Sequence, residues 1–328
     1  MTREYAGWTT RPSLICAISS TLVIQMETPM YRQALRTAAV AAALIAGSST
    51  TAAAQSTAYA LSTTAAGAQQ LIRFTPSAPS TVTTVGTTGV QLTGIDFRPA
   101  TNQLYGYDGD KLYIVDVNTG SASLAFDVGN VSGDPGFDFN PTVDRIRLVG
   151  SNGTNFRLNP LDGSTTTDGA YTFAMGDVNV GRVPTFTAIA YTNSDTDPAT
   201  GTTLYAIDPT LGQLVRITSP NGGMINTVGS LGLGNFSAIS GFDILTVGGI
   251  NTAFFTGVRG NSMMTQFFSL DLNTGAASFI GNIGAAGTVR GLALSSSVVP
   301  EPSTWALMGT GLLALGTIAR RRRSQRNA

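Results

Sequence analysis

A four-residue pattern recurs along this chain at nearly even intervals, and it limits the fold more than any other feature. Gly94-Ile95-Asp96-Phe97 is followed by Gly136-Phe137-Asp138-Phe139 and by Gly241-Phe242-Asp243-Ile244. Degenerate copies stand at Ala188-Ile189-Ala190-Tyr191 and Gly291-Leu292-Ala293-Leu294. Successive starts lie 42, 52, 53 and 50 residues apart. A period of roughly 40–50 residues filled with short strands is the mark of propeller blades, where each repeat buries its apolar faces against its neighbours.

Each unit carries four strand-like runs. In the clearest one they are Gly94–Phe97, Gln103–Tyr107, Lys111–Asp116 and Ser121–Val128, separated by polar, glycine-rich turns. The third run ends in a recurring turn, Asp116-Val117-Asn118-Thr119-Gly120 and Asp271-Leu272-Asn273-Thr274-Gly275, with Asn159-Pro160-Leu161-Asp162-Gly163 as a variant. Asp or Asn opens such turns by accepting backbone N–H groups ahead of it. The first unit has only Tyr59–Ser62, Leu71–Phe74 and Thr81–Val85, and Val289–Leu294 at the far end is a first strand with no unit after it. Joining the two predicts an all-β, five-bladed β-propeller of four-stranded blades, closed by the C-terminal strand so that no edge stays open. A β-sandwich or an open solenoid built from the same strands is the alternative.

The composition of the repeat region narrows the chemistry. Between Gln55 and Ser297 there are ten basic residues, sixteen Asp and no Glu, so this region carries about −6 although the whole chain balances to zero. Such a surface does not track phosphate backbones, and no nucleic-acid partner is expected. The chain has no histidine, and its one cysteine, Cys16, precedes the repeats. Disulfides, thiol or histidine-based catalysis and the usual zinc sites are therefore excluded from the repeat region, and no catalytic residue or metal ligand set is assigned.

The two ends read as targeting segments. Arg32 and Arg36, the apolar run Ala38–Ala46 and the small residues Ala52-Ala53-Ala54 before Gln55 form a signal peptide over 30–54, with cleavage between Ala54 and Gln55. Residues 1–29 then read as an upstream start outside the natural protein, the alternative being a leader with its own apolar stretch from Leu14 to Ile24. At the other end, 298–328 contain Pro300, Glu301 and Pro302, an apolar run from Trp305 to Ala319, and Arg320 to Arg323. The run is slightly short for a bilayer span, and its arginines are expected on the cytoplasmic side.

That tail resembles the PEP-CTERM sorting signal of exported bacterial proteins. The resemblance implies an exosortase-type sorting protease as partner, transient membrane attachment through the C-terminal segment, and a destination at the cell surface or in the extracellular matrix. A plain membrane anchor is the alternative reading. The region 55–297 resembles the bacterial domain of unknown function 4394. The shared blocks include Gly94–Pro99, Gly136–Pro141, Asp144-Arg145-Ile146-Arg147, Asn155–Pro160, Leu204–Asp208 and Val289–Leu294. That family implies a fold and export but no catalytic residue.

Two groups of side chains are candidate ligand or ion sites. Asp96, Asp138 and Asp243 share one repeat position on the first strands, which surround a propeller's axis. There they can bind a cation or sugar or act as an acid–base pair, or they bond backbone or arginines of adjacent blades. Arg145 and Arg147 lie on one face of a strand, with Arg157 on the next. They can grip a carboxylate, as in an acidic polysaccharide, or pair with Asp138 or Asp144. Inserts at Gly169–Val183 and Asn193–Thr202, with Asp168, Asp177, Asp195 and Asp197 in or beside them, leave calcium as the one cofactor to consider, although no Asp-x-Asp-x-Asp-Gly loop is present. The expected function is a non-enzymatic, exported binding or structural propeller, with extracellular polysaccharide as a candidate partner. A carbohydrate-active enzyme using the first-strand aspartates and a calcium-stabilised adhesin are the alternatives.

Overall fold

Strands in this chain are apolar on both faces near the repeat start and polar on both faces near its end. Gln103–Tyr107 is buried at four of its five residues, whereas Thr165–Thr167 is exposed throughout. A sheet with that gradient must be sandwiched at its inner edge and wet at its outer edge, as in a propeller blade. The computed structural model describes residues 55–129, 135–150 and 153–297, with Gly309 and Gly311. Ala54, the remainder of the expected signal peptide and the sorting residues Pro300, Glu301 and Pro302 lie outside the described residues.

The sheets follow the repeat. β1 (Gln55–Thr63), β2 (Gln69–Thr75) and β3 (Ala78–Thr87) begin blade 1. β4 (Gly94–Arg98), β5 (Gln103–Tyr107), β6 (Lys111–Val115) and β7 (Ala122–Asp127) form blade 2. β8 (Gly136–Asn140), β9 (Arg145–Val149), β10 (Asn155–Leu158) and β11 (Thr165–Thr167) form blade 3. Blade 4 takes a short extra strand, β12 (Thr172–Phe173), parallel to the outer edge of β13 (Ala188–Tyr191), β14 (Leu204–Asp208), β15 (Gln213–Ser219) and β16 (Met224–Ser230). β17 (Phe236–Val247), β18 (Ile250–Arg259), β19 (Gln266–Leu270) and β20 (Ala277–Asn282) form blade 5. β21 (Thr288–Ser297) then pairs antiparallel with β1, from Gln55 opposite Ser297 to Thr63 opposite Thr288, and completes blade 1. The protein is a five-bladed, four-stranded propeller closed by its last strand; β12 is the one departure from four strands per blade.

Five apolar clusters match the five blade-to-blade interfaces. Leu61 and Leu71 of blade 1 pack with Ile95 and Leu104 of blade 2. Tyr105 and Tyr107 meet Phe137 and Phe139 of blade 3, with Tyr105 edge-on to Phe139 at 5.3 Å. Val149 joins Ile189 and Leu204; Ile207 joins Phe242 and Phe255; Phe267 joins Ile72 and Leu292. Each fully buried side chain of this size contributes about 1.5–3 kcal/mol, so the ring is held by many equal joints rather than one central core.

Five first strands crowd the axis, and small residues let them do so. A Cβ on Gly94 would sit 2.7 Å from the Phe137 Cβ, and one on Gly241 would sit 2.6 Å from the backbone of Gly291. The space they leave along the axis is about 20 Å³, room for about one water. The recurring turns form as expected. Asp116 accepts the Asn118 N–H at 2.7 Å and Asp271 the Asn273 N–H at 2.8 Å, with Gly120 (φ 79°) and Gly275 (φ 80°) in the left-handed region.

Candidate functional site

The repeat position of Asp96, Asp138 and Asp243 falls on β4, β8 and β17, at the axis. All three are buried, and one oxygen from each lies within 4.8 Å of the others. They do converge, but each is also spoken for. Asp96 accepts the N–H of its own successor, Phe97 (2.7 Å), and of Phe139 on blade 3 (2.8 Å). Asp138 accepts the N–H of Tyr191 on blade 4 (3.0 Å). Asp243 accepts the N–H of Ile244 (2.6 Å) and of Leu294 on blade 1 (2.5 Å).

These bonds explain why a five-fold ring needs only three carboxylates. The residue after the repeat position is 97, 139, 191, 244 or 294 in the five blades, and each of those five N–H groups ends on a carboxylate. Where the preceding blade has alanine, Ala293 before blade 2 and Ala190 before blade 5, the N–H turns to its own aspartate instead. A buried, unpaired N–H costs roughly 1–3 kcal/mol, so the trio satisfies backbone that the blade sheets leave open. The partner is backbone throughout, not an adjacent-blade arginine.

The electrostatic cost is visible in the protonation equilibria. Burial raises the Asp96 carboxyl well above 3.8, with the charge of Asp243 adding to it. Burial raises Asp138 as strongly, reinforced by both neighbours. Burial lifts Asp243 to about 7 against the pull of its two N–H bonds. Like charges this close in a dry site cannot all ionise, so the trio holds protons near neutrality. Asp138, with a single backbone N–H, accommodates one with the least loss.

The arginines form a different kind of place. Arg147 and Arg157 stand opposite each other on β9 and β10. Their expected partners were Asp138 or Asp144, and that expectation is corrected. Both pair with Asp168, just after β11: Arg147 Nη1 at 2.6 Å, Arg157 Nε at 2.7 Å and Arg157 Nη2 at 3.0 Å. Asp144 is instead held by Arg98, through Nε at 2.8 Å and Nη2 at 2.5 Å. Asp168 wins because it stands one step beyond β11 in the antiparallel ladder with β10, its own N–H donating to the Asn155 carbonyl. Arg147 is further fixed by Asn155 Oδ1 (2.7 Å), Asn221 Oδ1 (2.7 Å) and the Tyr191 hydroxyl (3.4 Å). Arg145 reaches the carbonyls of Asp144 and Val143.

These arginines line a cavity of about 560 Å³ between blades 3 and 4, with Asn140, Tyr191, Thr218, Ser219 and Asn221 as its other polar residues. No carboxylate lines it; Asp168 backs it from behind. The lining carries three guanidinium groups; Asp168 pairs with two of them and Asp162 lies within charge range of Arg145. A second cavity, of about 280 Å³, has Asp96 and Asp243 in its wall with Asn102, Ser194 and Thr246.

Comparison with known proteins places the chain. The family model for a domain of unknown function, DUF4394, matches residues 70–293. The chain belongs to the DUF4394 family. A PEP-CTERM protein-sorting motif matches residues 298–323. This DUF4394 protein is therefore exported and carries a C-terminal sorting signal of the kind read by an exosortase. No curated protein matches it.

Among solved structures, the DUF4394 propeller is similar to a protein of unknown function from Bacteroides thetaiotaomicron, at 16% identity and a TM-score of 0.43 over 67% of this chain and 55% of that one. A Lactobacillus plantarum protein matches at 17% identity and TM-score 0.37, covering 73% and 71%. A putative 6-phosphogluconolactonase from Bacteroides uniformis matches at 13% and 0.36, covering 71% and 84%. The chain spans about half the length of the first structures it matches, 55%, 48% and 56%.

The inserts of the DUF4394 domain use their aspartates locally. Asp177 accepts from the N–H and hydroxyl of Thr227 on β16 (2.7 and 2.8 Å). Asp195 accepts the Asp197 N–H, and Asp197 the Ala199 N–H, both at 2.9 Å. Among the described residues only the axial trio brings three acidic groups together. Sequence reasoning missed Asn155, Tyr191, Asn221 and Arg216. Arg216 had a faint signal, as the one charge in the apolar run from Leu214 to Ile217.

Proposed function

We propose that this exported propeller is a non-catalytic binding module of the cell surface or extracellular matrix, and that it takes an extracellular polysaccharide in the cleft between blades 3 and 4. The observation that carries this is the cavity of about 560 Å³ lined by Arg145, Arg147 and Arg157 and free of carboxylates. Arg147 is prearranged by Asp168, Asn155 and Asn221, so little order is lost when a ligand arrives. The sorting tail accounts for the place, and processing near Pro300-Glu301-Pro302 accounts for release from the membrane. The test is a panel of extracellular glycans offered to the purified protein, with binding read by calorimetry. Retention of a glycan, weakened by Arg157→Gln, supports the module; no retention of any glycan contradicts it.

A second reading, a carbohydrate-active enzyme, draws on Asp96 and Asp243, which share the wall of a 280 Å³ cavity. A carboxyl near pKa 7 suits a general acid, and paired carboxyls about 5 Å apart suit retaining hydrolysis. Against it, both oxygens of each are bonded to backbone N–H groups. Turnover on a glycan panel that Asp243→Asn abolishes would establish it.

A further inference from the structure

We infer that the arginine cleft continues into a longer groove that takes an extended, carboxylate-bearing saccharide chain, an acidic rather than a neutral glycan. This rests on the binding-module reading and specifies its ligand. The 560 Å³ cavity adjoins another of about 310 Å³, and the two share Asn140, Tyr191, Thr218 and Pro220. The second adds Thr202, Thr203 and, at its edge on β15, the exposed Arg216. Neither cavity is lined by an acid. Four of the ten basic residues of the repeat region thus lie along one groove, in a domain with sixteen aspartates.

The arginines divide the work. Arg147 is buried and gives four hydrogen bonds, so it fixes the wall. Arg157 shows 35% of its side chain and gives Nε and Nη2 to Asp168. Among the described residues nothing accepts from its Nη1, which is left to meet a carboxylate. A planar guanidinium suits a carboxylate better than an ammonium does. Arg216, in the adjoining cavity, offers a second point of charge, and two separated points select a chain over a single sugar. The hydroxyls and amides of Thr218, Ser219, Asn221 and Asn140 suit the sugar hydroxyls between them. The one aromatic ring in the lining, Tyr191, is buried, so bases have no open face on which to stack, and the negative surface beyond the groove opposes a nucleic acid.

The experiment titrates the full-length protein with a linear galacturonate tetramer, its methyl-esterified neutral counterpart, monomeric galacturonate and a single-stranded oligonucleotide of matched charge. The tetramer is expected to bind with an affinity that falls as salt rises. Arg157→Gln and Arg216→Gln, both on accessible side chains, should each weaken it roughly tenfold, with a urea unfolding transition that stays cooperative and shifts little. Equal binding of the esterified chain would overturn the acidic class and leave the binding module standing. Equal binding of the monomer, or indifference to Arg216→Gln, would overturn the extended mode. Tighter binding of the oligonucleotide would overturn the glycan, and binding of no saccharide would overturn this inference and its parent together.

Discussion

The axis and the groove both concentrate charge of one sign, and they do opposite things with it. At the axis, three buried carboxylates bring one oxygen each within 4.8 Å of the others, and five of their oxygens are committed to backbone N–H groups. Protonation relieves the repulsion there. In the groove, guanidinium groups stand on the wall of an open cavity and cannot shed charge by losing a proton. One carboxylate, Asp168, is shared between two of them. Repeat position alone therefore does not make a site. A charged group that closes backbone bonds between blades is a fold determinant, while one with unspent donors facing solvent is available to a ligand.

The largest expected effect separates the two arginines within the groove itself. Arg147→Met removes a buried cation, takes the donor from Asn221 Oδ1 and leaves buried Asp168 to Arg157 alone, so unfolding in urea should cost roughly 3–5 kcal/mol less. An effect near that of an exposed arginine would show that the groove wall is not prearranged. Next, Asp96→Ala leaves the N–H groups of Phe97 and Phe139 without acceptors, for a loss of roughly 2–4 kcal/mol after relief of like charge. Asp243→Ala should match it through Ile244 and Leu294. Asp138→Ala strands only Tyr191 and should cost about half as much. Equal losses at all three positions would contradict the five-N–H arrangement. Smallest is Arg157→Gln: Asp168 keeps Arg147, so stability should change by about 0–1 kcal/mol, with the effect confined to ligand binding.

Much of the fold was legible because blade periodicity is local. The runs Gln103–Tyr107 and Gly94–Phe97 needed only apolar patterning and turn chemistry, and the orphan strand at Val289 to Leu294 had one place to go once the first unit was seen to lack a partner. The short strand β12 was not legible, since two residues in an insert carry no period. The candidate site was legible in residue type but not in pairing. Asp96, Asp138 and Asp243 were visible as one repeat position. Their acceptor role depends on how far a neighbouring blade's N–H lies, and blade spacing has no one-dimensional signature. Asp168 looks like part of an insert in sequence, because its place opposite Asn155 at the end of the β10–β11 ladder depends on a strand register that sequence distance from Arg147 hides. Arg216 is hidden for a related reason: it is alone on its strand, and only the shared lining of two cavities joins it to Arg145 and Arg157.

The division between axis and groove is tested most directly by the pH dependence of unfolding free energy in the wild type and in Asp138→Asn. Folding raises the axial carboxyls above 3.8, Asp243 to about 7, so the folded state holds more protons than the unfolded one. Their stabilising contribution is complete below about pH 4 and is lost as pH rises through about 7. Asn at 138 keeps an oxygen for the Tyr191 N–H and carries no charge, as the protonated aspartate does. The expected result is a wild type that loses stability from about pH 5 to about pH 8 and a variant that falls less steeply, because burial still raises Asp96 and Asp243 while the share of Asp138 is gone. A wild type that gains stability across that range, or a variant that falls in parallel with it, would contradict the account.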